Sequence, residues 1–493
     1  MSSRLDENHR GTPKLDKLEG RSTGRTRCED ADDNELGTHG GHAYGIARKQ
    51  SHDSHTMPTT HDPYPTVSAL SLTLMLIHHP RNGEAGSSSW VAEALATLDS
   101  ARRGEAAPVE FLPTEHDDAR PRWVLRGDAT GTGAAAVVRT SGSTGTPKQT
   151  LLSWDALEAS AQMTAEALGG HGQWLLPLQP SYVAGLAVLT RSLVAGTTPV
   201  PLLQHTTDPA AFTEAARALT ADKRFVSLVP TQLQRLLEHH DDALLSALRR
   251  FDAILLGGGS TTAELFDRAR SLELQVVRTY GMSETCGGCV YDGYPLPGVS
   301  ISIGAQGRVQ LVGPMLALGY LSDEQLTAEK FITDPATGER RFRTDDLGEL
   351  STEDAGVLST VAHVAGAGHA ARSVPKLSIT GRADDVITTG GVKVSADQVR
   401  QALQTHPRVG EAFVTGIEDP QWGQKVVAAV VLSSTSRRAS TFAEIDDLVR
   451  RRLGAAAVPK HYQLLGALPL LPNGKPDRQQ LIRLLQGAAA WPQ

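Results

Sequence analysis

Nine consecutive residues carry the first chemistry legible in the chain: Thr140-Ser141-Gly142-Ser143-Thr144-Gly145-Thr146-Pro147-Lys148. Glycines let a backbone come close to an anion and aim successive N–H groups at it. Hydroxyls and an ammonium add donors and positive charge. That combination holds a polyphosphate. The spacing is not that of a Walker A loop, in which the second glycine directly precedes the lysine. Here Thr146 and Pro147 intervene. The plain alternative is a Ser/Gly-rich surface turn.

The elements around this loop set its stage. An apolar run, Ala134 to Val138, leads into it, and a helical pattern begins at about Trp154. Further on, Val226 to Val229, Ala253 to Leu256 and Gln275 to Val277 read as strands, and Thr231 to Glu238 and Thr262 to Leu272 as helices. Such alternation predicts α/β layering around a mostly parallel sheet. Sheets of that kind bind ligands at the carboxyl ends of their strands. Gly257-Gly258-Gly259 and Tyr280-Gly281 each follow a strand in this reading, which places them at that edge.

The 493 residues call for two or more domains, and 40% hydrophobic with 21% charged residues fits a soluble globular protein. A net charge of −7 argues against a general nucleic-acid binder. Three cysteines suit a reducing cytoplasm rather than a disulfide framework. The longest apolar run, Ala69 to Ile77, is too short to span a bilayer and reads as a buried strand. Residues 1 to 65 form a polar tail that cannot bury enough apolar surface to offset its ordering entropy. Its scattered histidines, His9, His39, His42, His52, His55 and His61, lack metal-site spacing. A second composition change at about 355 to 377 reads as an inserted surface loop. Beyond it, Glu411 to Ile417 and Val426 to Leu432 read as strands and Ala443 to Leu453 as an amphipathic helix.

Four more motifs follow the loop in order: Tyr280-Gly281-Met282-Ser283-Glu284, Phe342-Arg343-Thr344-Asp345-Asp346-Leu347, Gly381-Arg382-Ala383-Asp384-Asp385 and Pro472-Asn473-Gly474-Lys475-Pro476-Asp477-Arg478. Each alone could be a turn. Together, over about residues 134 to 478, the five resemble the adenylate-forming enzymes, the superfamily of acyl-CoA synthetases and adenylation domains. The resemblance implies an α/β fold: a large layered N-terminal domain with mixed sheets at 66 to 381, and a small mobile α+β domain at 385 to 493 joined by a hinge. It implies ATP contacts from Thr140, Ser141, Gly142, Ser143, Gly145, Lys148, Gly258, Gly259, Tyr280, Gly281, Met282 and Ser283. Glu284 with Thr144 is the implied Mg²⁺ pair, and a hard cation beside a triphosphate does need oxygen ligands. Asp346 and Arg382 are implied for the ribose hydroxyls, and Asp384 for the hinge pivot. Lys475 is the implied catalytic lysine for the carboxylate and α-phosphate. Gly390 and Gly391 are implied for a CoA channel that forms after domain rotation.

Within the superfamily the long match is to the o-succinylbenzoate–CoA ligases of menaquinone biosynthesis in their actinobacterial form. It rests on Gln173-Trp174-Leu175-Leu176, on Ser227 to Leu233, on Thr279 to Gly293 and on Pro295 to Gly298. The resemblance implies ATP and CoA as co-substrates, Mg²⁺ as cofactor, a small aromatic acid as the third substrate and a cytoplasmic site. It implies no nucleic-acid partner, and it leaves a homodimer open. A diacid substrate calls for donors in the acyl pocket; Arg191, Tyr182, Ser283 and Thr285 are the candidates. A helix-surface arginine is the competing reading of Arg191. A CoA ligase for another aryl or short-chain acid, an adenylation module loading a carrier protein, and a silent nucleotide binder are the rival functions. The chain departs from the family's pattern at Gln149 and Asp345, where glycine is usual, and at Tyr182, where a pocket-gating histidine is common. The Cys286-Gly287-Gly288-Cys289 pattern lacks a second cysteine pair for zinc and reads as pocket-lining small residues.

Overall fold

The computed structural model describes residues 77–78, 89–114, 120–140, 148–239, 241–351, 375–433, 438–471 and 475–489. The polar tail, most of the 355 to 377 insertion and the loop from Ser141 to Pro147 lie outside the described residues.

Four sheets organise the chain. In the central seven-stranded sheet, the strands Val200–Pro201, Gln173–Leu176, Arg224–Leu228, Ala253–Leu256 and Val276–Met282 run parallel. Their sequences are near-continuous Val/Ile/Leu runs because helices cover both faces. Gly287–Tyr291 and Tyr294–Pro295 extend the edge in antiparallel sense. The six-stranded sheet contains the antiparallel hairpin Ala134–Thr140 and Lys148–Ser153, whose last rung pairs Thr140 with Lys148. The two loop ends are thereby held side by side. The expected helix does begin at Trp154: the Ser153 hydroxyl caps it, accepting from Ala156 N–H at 3.2 Å, and Asp155 meets the positive end of its dipole.

A third sheet carries Arg340–Ser351 paired with Lys376–Arg382. The fourth contains Val409–Asp419 and Gly423–Leu432 and has apolar clusters of its own, such as Val399, Val426 and Ile445 on one face and Phe413, Val427 and Leu481 on the other. Both strands are longer than the apolar runs that announce them, because pairing with each other carries them past the apolar residues. Gly390 and Gly391 form the two-residue turn of a hairpin, both with positive φ (55° and 81°), the backbone that such tight hairpins require.

The reading of Tyr280-Gly281 as a post-strand turn is corrected. Both lie inside the strand Val276–Met282, at a register shift between them. A Cβ on Gly281 would run into the Gly287 carbonyl, so only glycine lets the two strands cross so closely. No helix among the described residues is long and apolar enough to cross a membrane.

Candidate active site

A cleft of about 780 Å³ opens where the parallel strands end, within the size range of small-molecule sites. Thr140, Lys148, Glu284, Asp346, Arg382 and Lys475 all face it. Five separate stretches of sequence therefore meet in one space.

The ribose-assigned pair proves to be a cross-strand pair: Asp346 stands directly opposite Arg382 in the antiparallel ladder. Arg382 Nη1 lies 3.3 Å from Asp346 Oδ1, and the Tyr280 hydroxyl donates to Asp346 Oδ2 at 2.8 Å. Burial raises the carboxyl pKa of Asp346, against the pull of Arg382 and Tyr280. Burial opposes the charge of Arg382, yet its hydrogen bonds to Asp384 and the charge of Asp346 outweigh it and raise its pKa. Asp384 grips the other side of Arg382 through both oxygens, at 2.8 and 2.9 Å. The residue assigned as hinge pivot thus touches the residue assigned to the ribose. Next to it, Asp385 pairs with Arg478 at 2.5 Å and ties the C-terminal motif to the hinge motif.

Lys475 reaches into the cleft from the far end of the chain. Its segment is pinned by a hydrogen bond from Leu471 N–H to the Lys475 carbonyl at 2.7 Å. The side chain passes over Gly258, where an added Cβ would stand 3.2 Å from Lys475 Cε. Gly258 has φ +77°, so glycine serves both the turn and the close approach. Dense protein around its ammonium lowers the Lys475 pKa; Arg382 adds to this and Asp346 opposes it. Gly390 and Gly391 do not line the cleft; their hairpin packs against Trp422, whose carbonyl accepts from Gly390 N–H at 2.9 Å.

Glu284 is buried and turned toward the cleft, and Oε1 accepts from the Tyr320 hydroxyl at 2.8 Å. Among the described residues no group of three or more His, Cys, Asp or Glu side chains could hold a metal. A lone buried carboxylate in the cleft that Lys148 also lines still fits Mg²⁺, because that ion keeps most of its ligands as water and phosphate oxygens. Ser141, Gly142, Ser143, Thr144 and Gly145 lie outside the described residues.

The acyl candidates separate. Arg191 lies on the helix Val183–Ala195, and the surface reading is wrong: it is 6% exposed and faces the cleft. Its guanidinium stacks over Trp174, 4.8 Å from the ring centre. Its Nε is buried without a hydrogen-bond partner, and no described residue forms an ion pair with it. Desolvation lowers its pKa. Gly287, φ +111°, lies next to it: a Cβ there would stand 3.9 Å from Arg191 Nη2. Tyr182 and Ser283 also line the cleft. Thr285 does not: it donates to the Gly287 carbonyl at 2.7 Å and caps Met282 N–H at 2.9 Å, holding the turn. Tyr280 and Gly259 are likewise not among the residues that line the cleft. Cys286 and Cys289 are buried free thiols, the latter pushed up to about 12 by burial.

One of the departures gains an account and one does not. Asp345 diverges from Asp346 along the strand and accepts from Lys330 at 2.7 Å and Arg308 at 2.8 Å. Burial opposes its charge, but those two cations and Lys148 hold its pKa down. Gln149 pairs across the hairpin with Arg139, and its Oε1 is buried without a donor; nothing in the structure explains it. Polar residues of the cleft that escaped sequence reasoning include Tyr320, Lys330 and Arg139. Only Arg139, adjoining the loop, had a sequence signal.

Comparison with known proteins bears on this geometry directly. The AMP-binding enzyme family matches residues 85–321, and the AMP-binding enzyme C-terminal domain matches 398–475. A probable 2-succinylbenzoate–CoA ligase of Mycobacterium tuberculosis is 38% identical over 407 residues, covering 82% of this chain and 98% of the relative. The chain belongs to the AMP-binding enzyme family. Among solved AMP-binding enzymes, the o-succinylbenzoate CoA synthetase of Bacillus subtilis with its acyl-adenylate intermediate is 26% identical, TM-score 0.56, over 71% of this chain and 69% of that one. The same enzyme with ATP and magnesium ion matches at TM-score 0.56 and 26% identity over 75% and 73% of the two chains. The layered fold with its separate C-terminal sheet is therefore that of the AMP-binding enzymes.

Proposed function

We propose that the protein is an ATP- and Mg²⁺-dependent acid–CoA ligase that adenylates o-succinylbenzoate and passes the acyl group to CoA, releasing pyrophosphate and AMP. Arg191 carries the choice of acid. A buried guanidinium without a carboxylate is costly, and a ligand carboxylate would relieve that cost. An acid activated at one carboxylate must bring a second to meet it, as o-succinylbenzoate does. The names of the relatives at 38% and 26% identity support the same substrate.

In the first half-reaction a carboxylate oxygen attacks the α-phosphorus, and the bond to the β-phosphate oxygen breaks. Lys475, above Gly258 and beside Asp346, is placed to screen the repulsion between the two anions. Asp346 and Arg382 are assigned to the ribose, Lys148 with the loop to the leaving pyrophosphate, and Glu284 with Thr144 to the metal. When bound, Mg²⁺ supplies further charge neutralisation on the triphosphate. In the second half-reaction the CoA thiol displaces AMP. Gly390 and Gly391 are then assigned to the thiol channel, after rotation at Asp384 removes Lys475. The ligase works in the cytoplasm in this reading.

Pyrophosphate release across a panel of carboxylic acids, with and without CoA, tests the proposal. O-succinylbenzoate should be the best substrate and should give a CoA thioester. Background release with this acid would refute the substrate, and release without thioester would refute the ligase.

A further inference from the structure

We propose that Tyr320 is a positioning residue that sets the direction of the metal-facing oxygen of Glu284 and supports Lys148 from the same ring. The proposal rests on Glu284 being the Mg²⁺ ligand.

Tyr320 belongs to a two-residue strand, Gly319–Tyr320, paired with Thr150 and Leu151 just beyond Lys148. Its hydroxyl donates to Glu284 Oε1 at 2.8 Å, and both side chains are less than a tenth exposed. Glu284 Oε2 accepts from no described side chain. A carboxylate tied at one oxygen loses the freedom to rotate, so its second oxygen keeps one heading. Neighbours that orient a metal ligand in this way typically contribute about 10- to 100-fold in metal affinity. The tie itself is rigid. The Tyr320 N–H donates to Thr327 Oγ1 at 2.9 Å, and the ring packs on Phe331 with centroids 5.8 Å apart.

Lys148 Nζ stands 5.7 Å from the centre of the same ring. A cation over an aromatic face is held there by the ring quadrupole. One side chain therefore contacts both groups assigned to the charged end of ATP: the carboxylate through its hydroxyl, the ammonium through its face. These two contacts can be removed separately.

The test is Mn²⁺ binding to the full-length protein with a non-hydrolysable ATP analogue, read as free Mn²⁺ by electron paramagnetic resonance. Tyr320→Phe keeps the ring and should raise the Mn²⁺ dissociation constant about tenfold or more while leaving metal-free nucleotide binding unchanged. Tyr320→Leu should weaken both. Melting temperatures establish that each variant folds. A Phe variant within about twofold of the parent, with Glu284→Gln strongly weakened, would overturn the role of Tyr320 and leave the metal ligand standing. If Glu284→Gln also binds Mn²⁺ like the parent, the metal assignment itself is wrong.

Discussion

Replacing Arg191 by methionine separates two effects that usually travel together. In the free protein Arg191 is 6% exposed with an unpartnered Nε, so solvent screens its charge only weakly. Replacing such a buried charge by an apolar side chain of similar length stabilises by ~1–4 kcal/mol at best. Loss of stacking on Trp174, 4.8 Å away, costs ~0.5–2 kcal/mol. The melting temperature should therefore hold level or rise. In the complex the sign reverses. Removing one partner of a buried charge pair costs ~2–5 kcal/mol, a loss of roughly 30- to 4,000-fold in kcat/KM. The assay is continuous pyrophosphate release with two acids: o-succinylbenzoate, and 4-oxo-4-phenylbutanoate, which lacks the ring carboxylate. The variant should lose the first and keep its activity on the second. An equal fall with both acids, or a melting temperature that falls in step with activity, would refute the role given to Arg191.

Lys475→Ala should abolish adenylate formation yet leave thioester formation from preformed acyl-adenylate largely intact; equal loss in both assays contradicts the division of labour. The lowered pKa of Lys475 has a direct kinetic sign. Its ammonium must be charged to act, so kcat/KM for adenylation should fall as pH rises through a value below that of an ordinary lysine. Lys475→Arg should abolish that alkaline limb, because a guanidinium stays charged; an unmoved limb assigns it to another group. Asp346→Asn should raise KM for ATP by about 10- to 100-fold through loss of charge-assisted hydrogen bonds, with little change in KM for the acid; parallel changes in both would count against ribose binding.

Local chemistry was legible where it decides local structure. The helices expected from about Trp154 and from Thr262 are there, capped by Ser153 and Thr262, and the apolar runs at Val226 and Ala253 lie in the parallel sheet. Motif order brought Asp346, Arg382, Glu284 and Lys475 to the cleft as the resemblance implied. What escaped depends on pairing and depth. No local signal shows that Arg191 is buried, since an arginine in an apolar helix reads equally well as a surface residue. Tyr320 lies in a two-residue strand with no period to detect, and its value comes from Glu284, distant in sequence. Asp345 stood out only as a departure from a usual glycine; neighbours in a strand diverge, and its partners, Lys330 and Arg308, come from distant stretches. Thr285 misled in the opposite way: adjacency to Glu284 suggested a pocket residue, and a tight turn turned it inward.

The contact between Gly258 and Lys475 reaches beyond this one chain. The space above position 258 is filled by a residue from the far end of the sequence, so a side chain added at 258 would crowd the stem of the lysine. A Cβ there would stand 3.2 Å from Lys475 Cε, and the positive φ of 77° would demand glycine even with the lysine gone. The position is therefore constrained twice, by its own backbone and by its distant neighbour. Relatives that have given up the lysine, and adenylation with it, should still keep the glycine for its turn.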